Sequence, residues 1–212
     1  MSQTNASAVL SVEEAIQARH SVRQYKRDVV IPQETLNEIL ELAAAAPSSW
    51  NLQHWRFLVI QEQANKDALL PIAYGQKQVS DASAVVVILG DLQANLTGRE
   101  LFDAALEAGS VSQEVRDTMV SQIDGAYTME HVARDEANRN AGLASMQLML
   151  AAKAKGYDTV PMGGFNRTKL VEALNIPERF TPVMMITIGE AAAPARPTAR
   201  MPLSQLVINE TF

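Results

Sequence analysis

The sequence predicts an α+β fold on three observations. Helical segments open on recognisable capping residues, two short runs are apolar and rich in β-branched residues, and the chain ends in a proline-containing stretch. The first helix opens at Ser11-Val12-Glu13-Glu14, where serine caps the third helical amide and the glutamate returns to the cap amide. It is expected to end near Arg19. A second helix is expected from Pro32, since proline suits a first turn whose amides have no helical partner. It continues through Leu36, Ile39, Leu40, Ala43 and Ala44 at helical spacing until Pro47 stops it. Ser48-Ser49-Trp50-Asn51 then reads as a loop.

Strands are expected at Trp55–Ile60 and Ala84–Leu89. In the second, Val85-Val86-Val87-Ile88 is β-branched on both faces and asks for cover on both sides. Residues 91–140 read as a helical excursion over the domain, broken by Gly98, Gly109 and Gly125. From Ala141 to Ala152 the only polar residues are Ser145 and Gln147, so this helix is apolar almost all round. A sheet covers one face in this reading, and a second subunit is the natural candidate for the other. A short strand around Thr159, a loop Pro161-Met162-Gly163-Gly164, a small helix near Leu170–Leu174 and a strand Val183–Ile188 complete the core. The tail from Ala191 to Phe212 carries Pro194, Pro197 and Pro202, and reads as an extended arm with no helix before Leu203. No internal repeat or linker is evident, which makes residues 1–212 one domain.

Composition narrows the function classes. With no cysteine, disulfides, thiolate metal sites, iron–sulfur clusters and cysteine nucleophiles are excluded together. The longest apolar run, Ala84–Leu89, is far below the ~20 residues a bilayer span needs, so no membrane association is expected. Met1–Leu10 has neither a basic flank nor an apolar core, and a cytoplasmic protein is the expectation. A net charge of −6 argues against a nucleic-acid partner. Ten acids and four arginines lie between Asp91 and Asn140, a local balance of −6, so the rest of the chain is neutral. Against that background Arg19-His20-Ser21-Val22-Arg23-Gln24-Tyr25-Lys26-Arg27 is strongly basic. A second basic stretch holds Arg196 and Arg200, with no acid between Glu190 and Glu210. Two separated positive spots on an acidic chain suit a small anionic ligand.

Nucleophile-elbow, zinc-protease, phosphate-loop and dinucleotide-fingerprint motifs are all absent, and His20, His54 and His131 show no metal-ligand spacing. Anion-binding spots without an acid/base or nucleophile constellation point to chemistry borrowed from a bound cofactor.

Four motifs in order carry a resemblance: Arg19-His20-Ser21-x-Arg23, Ala46-Pro47-Ser48-Ser49-x-Asn51-x-Gln53, Gly163-Gly164, and Arg200-Met201-Pro202. Together they resemble the FMN-dependent nitroreductase family over nearly the whole chain. The resemblance implies a central mixed sheet flanked by helices, a homodimer with FMN at the interface, a buried dimer-interface helix and a tail arm reaching the partner. It places the FMN phosphate on Arg19, His20, Ser21 and Arg23 from one side and Arg200 from the other. Charge-assisted hydrogen bonds from guanidinium groups match phosphate oxygens. The alternative, a solvated helix end favoured by the dipole, leaves Arg200 unexplained. Lys26 and Arg27 are expected to face solvent.

Pro47, Ser48, Ser49 and Asn51 would line the isoalloxazine of the partner subunit's flavin, or else form a plain polar turn. Gln78 falls where the family often places a side chain on the pyrimidine edge, although Gly75 and Gln76 replace its commonest asparagine. Met162, Gly163 and Gly164 would let backbone approach the flavin, with an amide aimed at N5. Thr198 stands where relatives carry a basic residue, and Arg196 is its candidate substitute. Phe102 and Tyr127 are candidate substrate-stacking residues, with ordinary helix packing as the alternative. No catalytic side chain and no metal is implied. NADH or NADPH would reduce the flavin and leave, and a small-molecule electron acceptor, a nitroaromatic or quinone, would follow in the same pocket by ping-pong exchange. Two readings stay open beside this one: a flavin-binding or sensory dimer without useful turnover, and a same-fold enzyme that fragments flavin or dehalogenates aromatics.

Overall fold

The computed structural model describes residues 10–212, so most of the Met1–Leu10 reading lies outside the described residues. Four strands form one sheet: β1 (Trp55–Ile60), β2 (Ala84–Asp91), β3 (Asp158–Met162) and β4 (Phe180–Gly189), in the order β1-β2-β4-β3. β2 is central and buried throughout. Its side chains alternate between two cores, as the two-residue period of a strand requires. Ala84, Val86 and Ile88 meet Leu36, Ile39, Ala144 and Leu148 on one face. Val85, Val87 and Leu89 meet Leu69, Ile72, Val160 and Leu170 on the other. That double burial is why the strand reads as an unbroken apolar run.

The sheet departs from the expected mixed pattern. All three strand pairs are antiparallel. The parallel pairing among the described residues is a single bridge between Ser21 and Thr159. β2 and β3 do run the same way, but the chain between them leaves β3 two places away and β4 fills the gap.

Helices α1 (Val12–Ala18), α2 (Gln33–Ala44), α3 (Gln63–Leu69) and α4 (Gln78–Asp81) precede or interrupt the first two strands. The capping box on α1 is formed, with Glu14 N donating to Ser11 Oγ at 3.3 Å and Ser11 N to Glu14 Oε2 at 2.7 Å. Pro32 caps α2 instead of entering its first turn. After β2 come α5 (Ala94–Glu107), α6 (Gln113–Ala126) and α7 (Val132–Ala154), and then α8 (Arg167–Leu174) and α9 (Leu203–Leu206). Gly98 and Gly125 lie inside α5 and α6; only Gly109, at φ +69°, marks a true helix end. A Cβ on Gly98 would come within 3.0 Å of Leu52 and 3.1 Å of Ile123, so this glycine lets α5 pack closely.

The apolar stretch 141–152 is therefore the second half of one 23-residue helix that starts inside the acidic excursion. One face of α7, with Ala141, Ala144, Leu148 and Ala152, is fully buried in the chain's own core. Leu143 and Met146 stay exposed, at 45% and 39%. Cover on nearly every side is thus not what the chain itself provides, and Leu148 belongs to its core and not to an outer face. Beyond Ala195 the tail is exposed, including Met201, Leu203, Leu206 and Phe212. No helix among the described residues is long and apolar enough to cross a membrane.

Gly189, at the end of β4, is a close-packing point. A Cβ there would sit 2.9 Å from Cδ1 of Tyr25 and 3.3 Å from Ser83 N. Both neighbours are held, so Gly189→Ala is expected to cost about 1–3 kcal/mol, the usual range for overpacking. Urea unfolding checks this, and an unchanged midpoint would refute it.

Candidate functional site

The basic segment leaves α1 at Arg19, whose backbone is extended, and runs along the outer edge of β3. Val22 N donates to Thr159 O at 3.1 Å, and the Tyr25 hydroxyl lies 2.9 Å from Thr187 Oγ1. Burial of the Tyr25 phenol pushes its pKa far above the usual value. Val22 and Tyr25 point inward, and Arg19, His20, Ser21 and Arg23 are left at least partly exposed. Lys26 pairs with Glu190 at 3.0 Å and Arg27 with Asp81 at 2.9 Å. Arg19 and Arg23 have no carboxylate partner among the described residues. Within the basic segment, the two guanidinium groups assigned to an anion are thus the two that no carboxylate among the described residues engages.

Arg200 is not brought beside them. It donates to Thr198 Oγ1 at 2.9 Å and to the Ala199 carbonyl at 3.1 Å. The start of its tail is nevertheless pinned to the basic segment. Ala192 N donates to Gln24 O at 2.8 Å, and Ala191 and Ala195 pack on Val22 and Tyr25. A cavity of about 390 Å³ lies at this seam, with His20, Val22, Ala195 and Pro197 in its wall. Arg196 is exposed beside it.

Gly163-Gly164 follow β3 at its other end. Gly163 lies four residue steps beyond Thr159, about 13 Å at ~3.3 Å per step. A Cβ on Gly163 would meet nothing within 4 Å, so this backbone is open to an approaching group. The Gly164 carbonyl accepts from Gln76 Nε2 at 2.8 Å. Gln78 Nε2 in turn donates to Gln76 Oε1 at 3.1 Å and lies 3.8 Å from Met162 Sδ. Gln78, Met162, Gly163 and Gly164 therefore form one group, and Gln76, which sequence reasoning set against the assignment, holds it together.

Pro47, Ser48, Ser49 and Asn51 lie on the turn that leads into β1, at the opposite edge of the sheet. Trp50, Asn51 and Gln53 have φ of 50°, 57° and 49°. Left-handed backbone at three residues that are not glycine is costly and persists only where surroundings enforce it. Those surroundings are explicit. Ser48 Oγ accepts from Gln53 N at 2.9 Å. Ser49 N donates to Asn140 Oδ1 at 2.9 Å, and the Ser49 hydroxyl donates to Glu136 Oε2 at 2.5 Å. Asn140 Nδ2 also donates to Glu136 Oε2, at 2.9 Å, and Arg139 pairs with the other carboxylate oxygen. Burial raises the Glu136 pKa, but hydrogen bonds from Ser49 and Asn140 and the charge of Arg139 outweigh it, and the net shift is downward. The carboxylate is thus held ionised. Glu136 and Asn140 were missed in the sequence; their spacing of four puts both on one helix face, but nothing in that spacing names Ser49 as their partner.

Phe102 and Tyr127 pack with Trp50 and Leu101 around Leu52, Ala94 and Ile123. The Tyr127 hydroxyl lies 3.0 Å from His54 Nε2. His54 is fully buried, and desolvation lowers its pKa. Both aromatics therefore hold the α5–α6 excursion against the turn at 48–53. At the root of the excursion, buried Asp91 takes two hydrogen bonds from Arg179, at 2.8 and 2.7 Å.

The turn at 48–51 enters β1 and the turn at 163–164 leaves β3, at the two edges of a four-strand sheet. Three inter-strand spacings of ~4.8 Å put those edges about 14 Å apart.

Comparison with known proteins places this arrangement. The nitroreductase family model matches residues 16–190. "Putative NAD(P)H nitroreductase YodC" of Bacillus subtilis is 49% identical over 193 residues, covering 91% of this chain and 96% of that one. The CLA biosynthesis enone reductase of Lactiplantibacillus plantarum is 34% identical, covering 86% of each. A crystal structure of "a putative nitroreductase in complex with FMN" from Exiguobacterium sibiricum superposes with a TM-score of 0.86 at 39% identity, covering 94% of this chain and 97% of that one. With the fold, the ordered motifs and near-complete coverage in agreement, this chain belongs to the nitroreductase family.

Proposed function

We propose that the protein is an FMN-dependent oxidoreductase that passes two electrons from NADH or NADPH to nitroaromatic or quinone-type acceptors, and that it works as a homodimer. The observation that carries the proposal is the edge of β3. Arg19 and Arg23, without a carboxylate partner among the described residues, flank Ser21 where it bridges to Thr159 near one end of β3, and an open glycine backbone follows the other end; from Thr159 to Gly163 the strand spans about 13 Å at ~3.3 Å per residue.

That donor set fits FMN. Arg19 and Arg23, with Ser21 as a neutral donor, hold the phosphate by charge-assisted hydrogen bonds. Arg200 does not join them within its own chain; in this reading the exposed tail carries it to a flavin phosphate across the dimer. Gly163 and Gly164 take the ring system against backbone, and Gln78 and Met162 bound it on the side facing α4. Bound FMN supplies the two-electron transfer itself. The chain contributes binding, orientation and exclusion of water. The α5–α6 excursion roofs the pocket in this reading, and Phe102 and Tyr127 support that roof through packing.

The dimer is the family's arrangement carried onto this chain. The Ser48–Asn51 turn enters β1 at the sheet edge opposite to β3, which Gly163-Gly164 follow, and in this reading it serves the flavin of the second subunit. The exposed Leu143 and Met146 of α7 and the apolar tail residues are the surfaces that a second copy covers. Similarity to an enone reductase adds conjugated carbonyl compounds to the acceptors worth testing.

The test is direct. Purified protein is expected to be yellow, to bleach under anaerobic NADH or NADPH, and to regain colour with nitrofurazone, menadione or a conjugated enone. Bleaching without reoxidation by any acceptor would support a binding role without turnover. A colourless protein that takes up no added FMN would end the proposal.

A further inference from the structure

The geometry points to Glu136 as a positioning residue that fixes the hydrogen-bonding polarity of the Ser48-Ser49 turn: Ser49 is left to accept from the bound flavin and Ser48 to donate to it. This rests on the flavin reading above and goes further, since it assigns each serine a direction and names a helix residue outside the motifs as its source.

The assignment follows from counting protons. An ionised carboxylate only accepts hydrogen bonds, so the Ser49 hydroxyl, 2.5 Å from Glu136 Oε2, spends its one proton there. The Ser49 amide proton is also spent, on Asn140 Oδ1 at 2.9 Å. What Ser49 Oγ offers a ligand is lone pairs. Ser48 is the opposite case. Its Oγ already accepts from Gln53 N at 2.9 Å, and its hydroxyl proton has no acceptor among the described residues. Two adjacent serines with identical side chains thus present opposite polarity. FMN offers both complements, hydroxyl and N–H donors and carbonyl and ring-nitrogen acceptors.

Glu136 itself is buried and anchored from three sides, by Ser49, Asn140 and Arg139. Arg139 is largely exposed, so the carboxylate is fixed chiefly by its neutral partners. The same contacts hold the left-handed backbone at Trp50 and Asn51, which has no glycine to relax it. Glu136 therefore acts through Ser49 and does not itself touch the ligand.

The test is a double-mutant cycle on the full-length protein, stripped of flavin and titrated with FMN, with thermal unfolding of each apo variant alongside. Glu136→Gln keeps the shape, removes the charge and can donate to Ser49, freeing the hydroxyl proton. Glu136→Gln and Ser49→Ala are each expected to raise the FMN dissociation constant about tenfold, the scale of one hydrogen bond involving a charged group. The double variant is expected to match the single ones, because residues acting as one unit are not additive. Additive effects, or an unchanged dissociation constant in Glu136→Gln with a weakened Ser49→Ala, would overturn the assignment. So would a loss of affinity matched by an equal loss of apo stability, which is what a purely structural role gives. If Glu136→Gln fails to fold, Glu136→Asp, which keeps the charge but shortens its reach, takes its place with the same expectation. A wild-type protein that binds no FMN would instead remove the flavin reading itself.

Discussion

Arg23→Ala is expected to leave a folded protein that loses FMN on purification, with a dissociation constant raised about 10- to 100-fold, the value of one hydrogen bond between charged groups. Arg23 is exposed and without a carboxylate partner among the described residues, so nothing in the fold depends on its charge. Its neighbours Val22 and Tyr25 hold the backbone in place. Arg23→Lys should recover part of the affinity, since lysine restores the charge but not the two-pronged geometry that matches phosphate. Lys26→Ala is the control. Lys26 is already paired with Glu190 at 3.0 Å, and its loss should leave flavin content unchanged. The ratio of flavin absorbance to protein absorbance reads all three. Equal flavin content in Arg23→Ala and wild type would remove the phosphate assignment.

The second large effect separates two faces of α7. Leu148→Asp is expected to prevent folding. Leu148 is 0% exposed, and a carboxylate there would lie in the apolar cluster that holds Leu36, Ile39, Ala144, Val86 and Ile186. Its desolvation costs several kcal/mol against a typical total stability of ~5–15 kcal/mol. Leu143→Asp combined with Met146→Asp places charge on the exposed face and is expected to leave helical content intact while abolishing self-association. Circular dichroism and light scattering distinguish the outcomes. A folded monomer from Leu148→Asp would contradict the core placement; a persistent dimer in the Leu143/Met146 variant would move the interface elsewhere.

Local signals proved readable where local physics decides. The capping box at Ser11, the strand Trp55–Ile60 and the central run from Ala84 follow from capping chemistry and periodicity, and they stand where the sequence puts them. Glycines misled, because Gly98 and Gly125 lie inside helices; for Gly98 the reason is a tight contact with Ile123 that belongs to tertiary packing. The length of α7 was hidden for a similar cause. Its first half is charged and its second apolar, and no break separates them. The choice of Arg19 and Arg23 over Lys26 and Arg27 rested on motif spacing; Lys26 and Arg27 are engaged by Glu190 and Asp81, and the Arg23→Ala measurement decides the phosphate role. Glu136 and Asn140 stayed out of sight because their importance lies in Ser49, nearly ninety residues earlier, and no pattern within α7 announces that partner.

Because α7 runs unbroken for 23 residues, it constrains where this chain tolerates changes of length. Inserting one residue between Asn140 and Ala144 would rotate everything downstream by about 100°. Ala144, Leu148 and Ala152 would then swing out to solvent while the clamp on Ser49 stayed put. Residues 109–112, an exposed link between α5 and α6, impose no such registry. Related chains that differ in length should therefore accommodate the difference in that link, leaving α7 at constant residue count.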